Sequence, residues 1–130
     1  MITFEGIEEN FRFIVVETQR QLRNTLDFLK SPGKNAYGKI ISRDDYIDNL
    51  KSVIENQCFA KIHTDKEIEK RDINKIRAIH LITVNLERIA DNCVNIVGQT
   101  EYLTDSKFLD RFDYEDLFQE LLESAFGILY

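Results

Sequence analysis

The stretch DINKIRAIHLITVNLERIADNCVNIVGQTEYL, residues 72–103, decides the fold. Ile76, Ile79, Ile82, Leu86, Ile89, Cys93 and Ile96 recur in steps of three and four, the period of an amphipathic helix. At about 100° per residue, the main apolar stripe centres near Ile79, Leu86, Cys93 and Val97. Asn74, Arg77, Asn85, Arg88 and Asn92 occupy the opposite face. Glu87 and Asp91 fall between the two, in an arc shared with Ile76, His80, Val84, Val94 and Gly98. This placement predicts two acids at the edge of a buried seam. Gly98 in the same arc is expected to leave room for close approach.

On the N-terminal side, the same period predicts a helix over residues 4–29. Phe4, Ile7, Phe11 and Ile14 start its stripe, which resumes at Leu22, Leu26 and Leu29. Ser31-Pro32-Gly33 then interrupts the chain, since Gly caps a helix end and Pro does not continue one. A second helix carries Ile40, Ile47, Leu50, Ile54, Cys58 and Ile62. Ser42 with Asp45 three residues on has the form of a capping box. Ile40 is in phase with Ile47 and Ile54, however, which favours a start near Asn35.

On the C-terminal side, a polar stretch over residues 104–113 leads to a fourth helical pattern with Leu117, Leu121, Leu122, Ala125, Phe126 and Leu129. The apolar, uncapped end at Ile128-Leu129-Tyr130 leads us to expect that the natural chain continues. No segment alternates as a strand does. Long helices with short connections predict an all-α protein, an antiparallel up-down helix bundle. Residues 1–104 form the expected three-helix unit, and residues 105–130 a linker with the start of a truncated fourth helix.

Composition narrows the function. The chain has 130 residues, 43% hydrophobic and 31% charged, which suits one ordinary globular domain. One Pro and five Gly leave few turns, in keeping with long elements. A net charge of −6 disfavours nucleic acid and anionic membranes as partners. It suits cations or basic protein surfaces. Cys58 and Cys93 lie far apart in apolar patterns, outside any CxxC motif, and read as buried, reduced thiols of a cytoplasmic protein. No apolar run approaches a membrane span, and no secretory leader is recognisable.

Two acidic pairs carry the chemistry on offer. Asp44 and Asp48 lie four residues apart on the second helix, and Glu87 and Asp91 four apart on the third, each pair on one face. Like charges at that spacing cost roughly 0.2–0.5 kcal/mol per pair on an isolated helix. Such pairs call for neutralising neighbours or a cation, and oxygen donors of this kind suit Mg²⁺, Ca²⁺, Mn²⁺ or iron. The competing reading is structural: Asp44 and Asp45 favour a helix N-terminus, Asp48 pairs with Lys51 and Asp91 with Arg88. Neither His63 nor His80 follows an acid by three residues, so the Glu-x-x-His ligands of di-iron bundles are missing. No phosphate loop, GxSxG or HExxH motif is present. Glu87 and Asp91 have the form of an acid/base pair, but no nucleophile accompanies them. The chain therefore reads as a binding module, not an enzyme.

At these residues the chain resembles the PhoU family of phosphate-uptake regulators. Asn85-Leu86-Glu87-Arg88-Ile89-Ala90-Asp91-Asn92-Cys93-Val94-Asn95-Ile96 is similar to the third-helix signature of PhoU domains. Arg43-Asp44-Asp45-Tyr46-Ile47-Asp48 is similar to the acidic second-helix motif. The likeness covers about residues 4–103, and the fourth pattern resembles the start of a second repeat. Asn92 departs from the family where His is frequent, which removes one metal contact but not the acid pair. The resemblance implies a three-helix repeat in which paired acids hold a multinuclear iron or zinc cluster. Carried over by position, the metal candidates are Asp44, Asp48, Glu87 and Asp91, with Asp45 replacing Asp44 if the register shifts by one. It also implies a negative regulator of phosphate uptake that contacts a phosphate transporter or its sensor kinase, and we expect a homodimer. The alternative is a structural, dimerising helical domain of a larger ion-transport protein.

Overall fold

In the computed structural model the described residues are 3–100 and Glu120. Three helices account for almost all of them: α1 (Phe4–Lys30), α2 (Lys34–Thr64) and α3 (Lys70–Gln99). No strand occurs among the described residues, so the chain is all-helical there. The expected fourth helix, and residues 101–103 of the expected third, lie outside the described residues.

Each boundary has a local cause. The Thr3 side chain accepts a hydrogen bond from the Gly6 amide at 3.0 Å and opens α1. The α1 stripe ends at Lys30, where the Ser31 amide bonds the Asp27 carbonyl and Pro32-Gly33 follow. Helix α2 begins at Lys34, with Gly33 as an N-cap that has no side-chain bond. The capping box at Ser42 is therefore not used: the phase of Ile40, which is fully buried, outweighs it. Helix α3 begins two residues before the expected Asp72, because Glu69 already takes the extended cap conformation. Between them, Asp65 Oδ1 accepts the Glu67 amide at 3.1 Å and shapes a short turn.

Every helix touches the other two. Along α1 and α2 the partner numbers descend: Asn10 bonds Gln57, Glu17 pairs with Arg43, and Gln21 bonds the Ile40 carbonyl. The main core gathers Ile7, Ile14, Leu22 and Leu26 from α1, Ile47 and Ile54 from α2, and Ile76, Leu86 and Ala90 from α3. A smaller cluster of Phe28, Ile40 and Val97 closes one end. No helix among the described residues is long and apolar enough to cross a membrane.

Three details differ from the periodicity reading. The gap in the α1 stripe between Ile14 and Leu22 is filled by buried polar groups, Glu17, Thr18 and Gln21, with Thr25 one turn on. Thr18 and Thr25 donate to carbonyls four residues back, at 2.8 Å each, so their hydroxyls enter the core already satisfied. On α3 the buried line runs through Thr83 and Ala90, whereas Ile96 is 41% exposed. A Cβ on Gly98 would meet nothing within 4 Å among the described residues, so no close approach occurs there.

Candidate functional site

The seam between α2 and α3 brings the two acid pairs face to face. Asp44 meets Asp91, and Asp48 lies close enough to Glu87 for its charge to act on it. Asp44, Glu87 and Asp91 are half-buried, while Asp45 and Asp48 are exposed. The edge-of-seam position read from helical phase for Glu87 and Asp91 is the one they occupy.

Their electrostatics follow from crowding. Burial, then a hydrogen-bonded contact with Asp91 and its charge, and lastly Asp45 and Asp48, push Asp44 up to about 6. Glu87 is pushed up to about 7 by burial and by the same contact and charge of Asp91, with Asp48 adding to the effect and Lys51 opposing it. Both shifts share one cause beyond burial, the Asp91 side chain that Asp44 and Glu87 each contact. Asp44 Oδ1 is shielded from solvent and has no hydrogen-bond partner. A shielded acceptor without a donor is costly unless something neutralises it.

These donors suit a hard cation in kind, being carboxylate oxygens on rigid helices. In arrangement they do not make a formed ligand set. Among the described residues, no group of three or more His, Cys, Asp or Glu side chains is placed to hold one ion. Asp44 and Glu87 each contact Asp91 instead.

Neighbouring residues complete the seam. His80 stands on the acid arc, but its Nε2 lies 2.9 Å from Glu55 Oε2, one level away from the acids. Phe59 packs edge-on against His80 and stacks on His63. Lys51 turns to Glu55, at 3.7 Å, instead of forming the expected pair with Asp48. Its place between two carboxylate levels was not singled out by sequence reasoning, although its phase on α2 with Asp44 and Asp48 was available as a signal. The Glu17–Arg43 pair was also missed, because an acid inside an interrupted apolar stripe reads as solvated. Cys58 and Cys93 are buried, free thiols, and burial pushes both up. Surface hollows of about 490 and 560 Å³ lie around Lys34 and Lys39 and around Ser42 and Tyr46, and none of the four acids lines them.

Over 92 residues the chain is 28% identical to a phosphate-specific transport system accessory protein PhoU homolog of Clostridium acetobutylicum, covering 71% of this chain and 42% of that protein. The chain thus spans less than half the length of that curated relative. No solved structure matches it significantly. Residues 14–100, from the middle of α1 to the end of α3 and including all four acids, match the PhoU domain, and the chain belongs to that family.

Proposed function

We propose that this chain is a non-catalytic regulatory module of phosphate uptake. In this reading it acts in the cytoplasm by contact with a phosphate transporter or its sensor kinase, as a homodimer of up-down bundles. A divalent or multinuclear metal centre, iron or zinc before Mg²⁺, Mn²⁺ or Ca²⁺, would use Asp44, Asp48, Glu87 and Asp91. The observation that carries the reading is the α2/α3 seam: two helices spend stability to bring like charges together within the part of the chain that matches the PhoU domain. A purely structural bundle has no physical need for that.

A bound cation would supply positive charge to the seam and draw the oxygens of α2 and α3 together. The residues of the chain would do the rest. Asp44, Asp48, Glu87 and Asp91 would hold the cation as carboxylates, and the protons that Asp44 and Glu87 give up would pass to solvent. The reading is tested in two arms. In cells lacking this chain, phosphate uptake under replete conditions should rise, and uptake equal to that of the parent strain would refute the regulatory role. Protein purified without chelator or nickel resin should carry iron, zinc or manganese by plasma mass spectrometry, and Asp48→Asn/Glu87→Gln should lose it. Metal-free, folded wild type would instead favour the alternative of a structural, dimerising domain.

A further inference from the structure

The groove between α1 and α2, on the side away from the acid seam, is left open by the described residues. Arg43 and Gln57 on α2 bond Glu17 and Asn10 on α1 and mark the line where the two helices meet. Tyr46 and Val53 continue that line on α2 and Phe13 on α1, at steps of three and four. Tyr46 lies about 160° around α2 from Asp44, which meets α3. Phe13, Tyr46 and Val53 are 49%, 49% and 47% exposed, so the groove has apolar lips.

One end of this groove is basic. Residues 17–43 hold six Lys and Arg against two acids, Glu17 and Asp27, in a chain of net charge −6. Lys34 and Lys39 line the hollow of about 490 Å³ at the turn from α1 to α2. Lys39 and Tyr46 line the next, of about 560 Å³. At the opposite end, Lys66 and Lys70 are interspersed with Asp65, Glu67 and Glu69. Helix α3 finishes at the basic end: Val97 packs with Phe28 and Ile40, two residues before Gln99. The sequence that follows is first acidic and then apolar. Residues 101–116 hold six acids against Lys107 and Arg111, and residues 117–129 carry the helical stripe that begins at Leu117. Of these only Glu120 is among the described residues, and it is helical and exposed. Its phase sets it opposite the stripe of Leu121, Ala125 and Leu129. As a helix, residues 117–129 measure about 18 Å, against about 16 Å from Tyr46 to Gln57 along α2. Extended, residues 101–116 reach up to about 50 Å, enough to round the end of the bundle.

We infer that the outer α1/α2 groove is the docking site of this chain's own residues 117–129, with the acids of residues 101–116 laid across the basic turn at Lys34 and Lys39. The apolar stripe then covers Phe13, Tyr46 and Val53, as an amphipathic helix fills a hydrophobic groove. Charge fixes the direction, because acids precede the stripe in sequence and the basic turn precedes the apolar lips in space. The inference is independent of the cation reading.

The test uses the full 130-residue chain. A mixture of unlabelled and ¹⁵N-labelled protein is treated with a zero-length carbodiimide, and cross-links are read by mass spectrometry. Links from Lys34 or Lys39 to carboxylates of residues 101–116 are expected within single chains. Links found only between a labelled and an unlabelled chain would give the groove to a second copy and overturn the inference, as would no link at all. Chymotrypsin cleavage after Phe118, Leu121 and Phe126 is the second readout. Phe13→Ser/Val53→Ser should speed it at least tenfold, and Lys34→Glu/Lys39→Glu should speed it too, whereas Lys66→Glu/Lys70→Glu should not. Cleavage as fast in wild type as in Phe13→Ser/Val53→Ser would show an empty groove and overturn the docking.

Discussion

Helix α2 presents two seams of opposite character. Toward α1 its polar groups are complementary: Arg43 meets the buried Glu17, Gln57 accepts from Asn10 at 2.9 Å, and the Ile40 carbonyl accepts from Gln21 at 2.7 Å. Arg20 adds a second cation to Glu17 at 3.0 Å. Toward α3 the same helix offers Asp44 and Asp48 to Glu87 and Asp91, acid against acid. The first seam uses polar contacts to hold and align the helices. The second weakens the pairing of helices at neutral pH. The α1/α2 seam thus joins opposite charges and hydrogen-bond partners, whereas the α2/α3 seam sets like charges together.

The comparison is broken most strongly at Arg43. Arg43→Ala leaves Glu17 buried with only the largely exposed Arg20 as a partner, and should destabilise by about 2–3 kcal/mol in urea unfolding. That figure sits below the range for fully buried pairs because the Arg43 side chain is 35% exposed. A loss under about 0.5 kcal/mol would show that the α1/α2 pairing is ornamental, as most surface pairs are.

A change of opposite sign is expected across the other seam. Asp44 and Glu87 are raised in the fold, so their contribution to stability is fully present below the ordinary carboxylate range near 4. It is lost as pH rises through about 6 and about 7. The metal-free protein should accordingly melt at progressively lower temperature from pH 4 to pH 8. Glu87→Gln removes part of that slope and should stabilise at pH 8 by roughly 1 kcal/mol, after allowance for solvent screening. A flat profile in wild type, or a destabilised Glu87→Gln at pH 8, would show that the acids do not repel one another. The smallest effect is expected at Asn10, where Asn10→Ala breaks one half-buried hydrogen bond at the far end of the α1/α2 seam. It should cost about 0.5–1 kcal/mol, readable in the same urea titrations, with no change in the pH profile.

How far each seam can be read from sequence differs for the same reason. The acid seam is legible because its residues sit at i, i+4 spacing beside an unbroken apolar phase, which fixes their helix face. The stabilising seam is not. Glu17, Thr18, Gln21 and Thr25 are buried, and an apolar-period reading treats them as a gap in the stripe. Thr18 and Thr25 carry their own acceptors within the helix, and Glu17 and Gln21 find theirs on α2, 26 and 19 residues further along the chain. Ile96 errs in the opposite direction: it keeps the phase of the apolar repeat yet is half-exposed, because the buried line of α3 passes through Thr83 and Ala90.

By itself, the amino-acid sequence determined the helical class, the break at Ser31-Pro32-Gly33, the face of each helix that is apolar, and the acids at its margin. These are local matters, governed by helical period and by the few residues able to end a helix. Only the tertiary structure decided the register between helices. It set Asp48 against Glu87, Glu55 against His80 and Lys51 between those levels, and it gave Glu17 its arginine. Register is settled by how side chains from distant segments fill one another's gaps, and helical period carries no information about a partner tens of residues away.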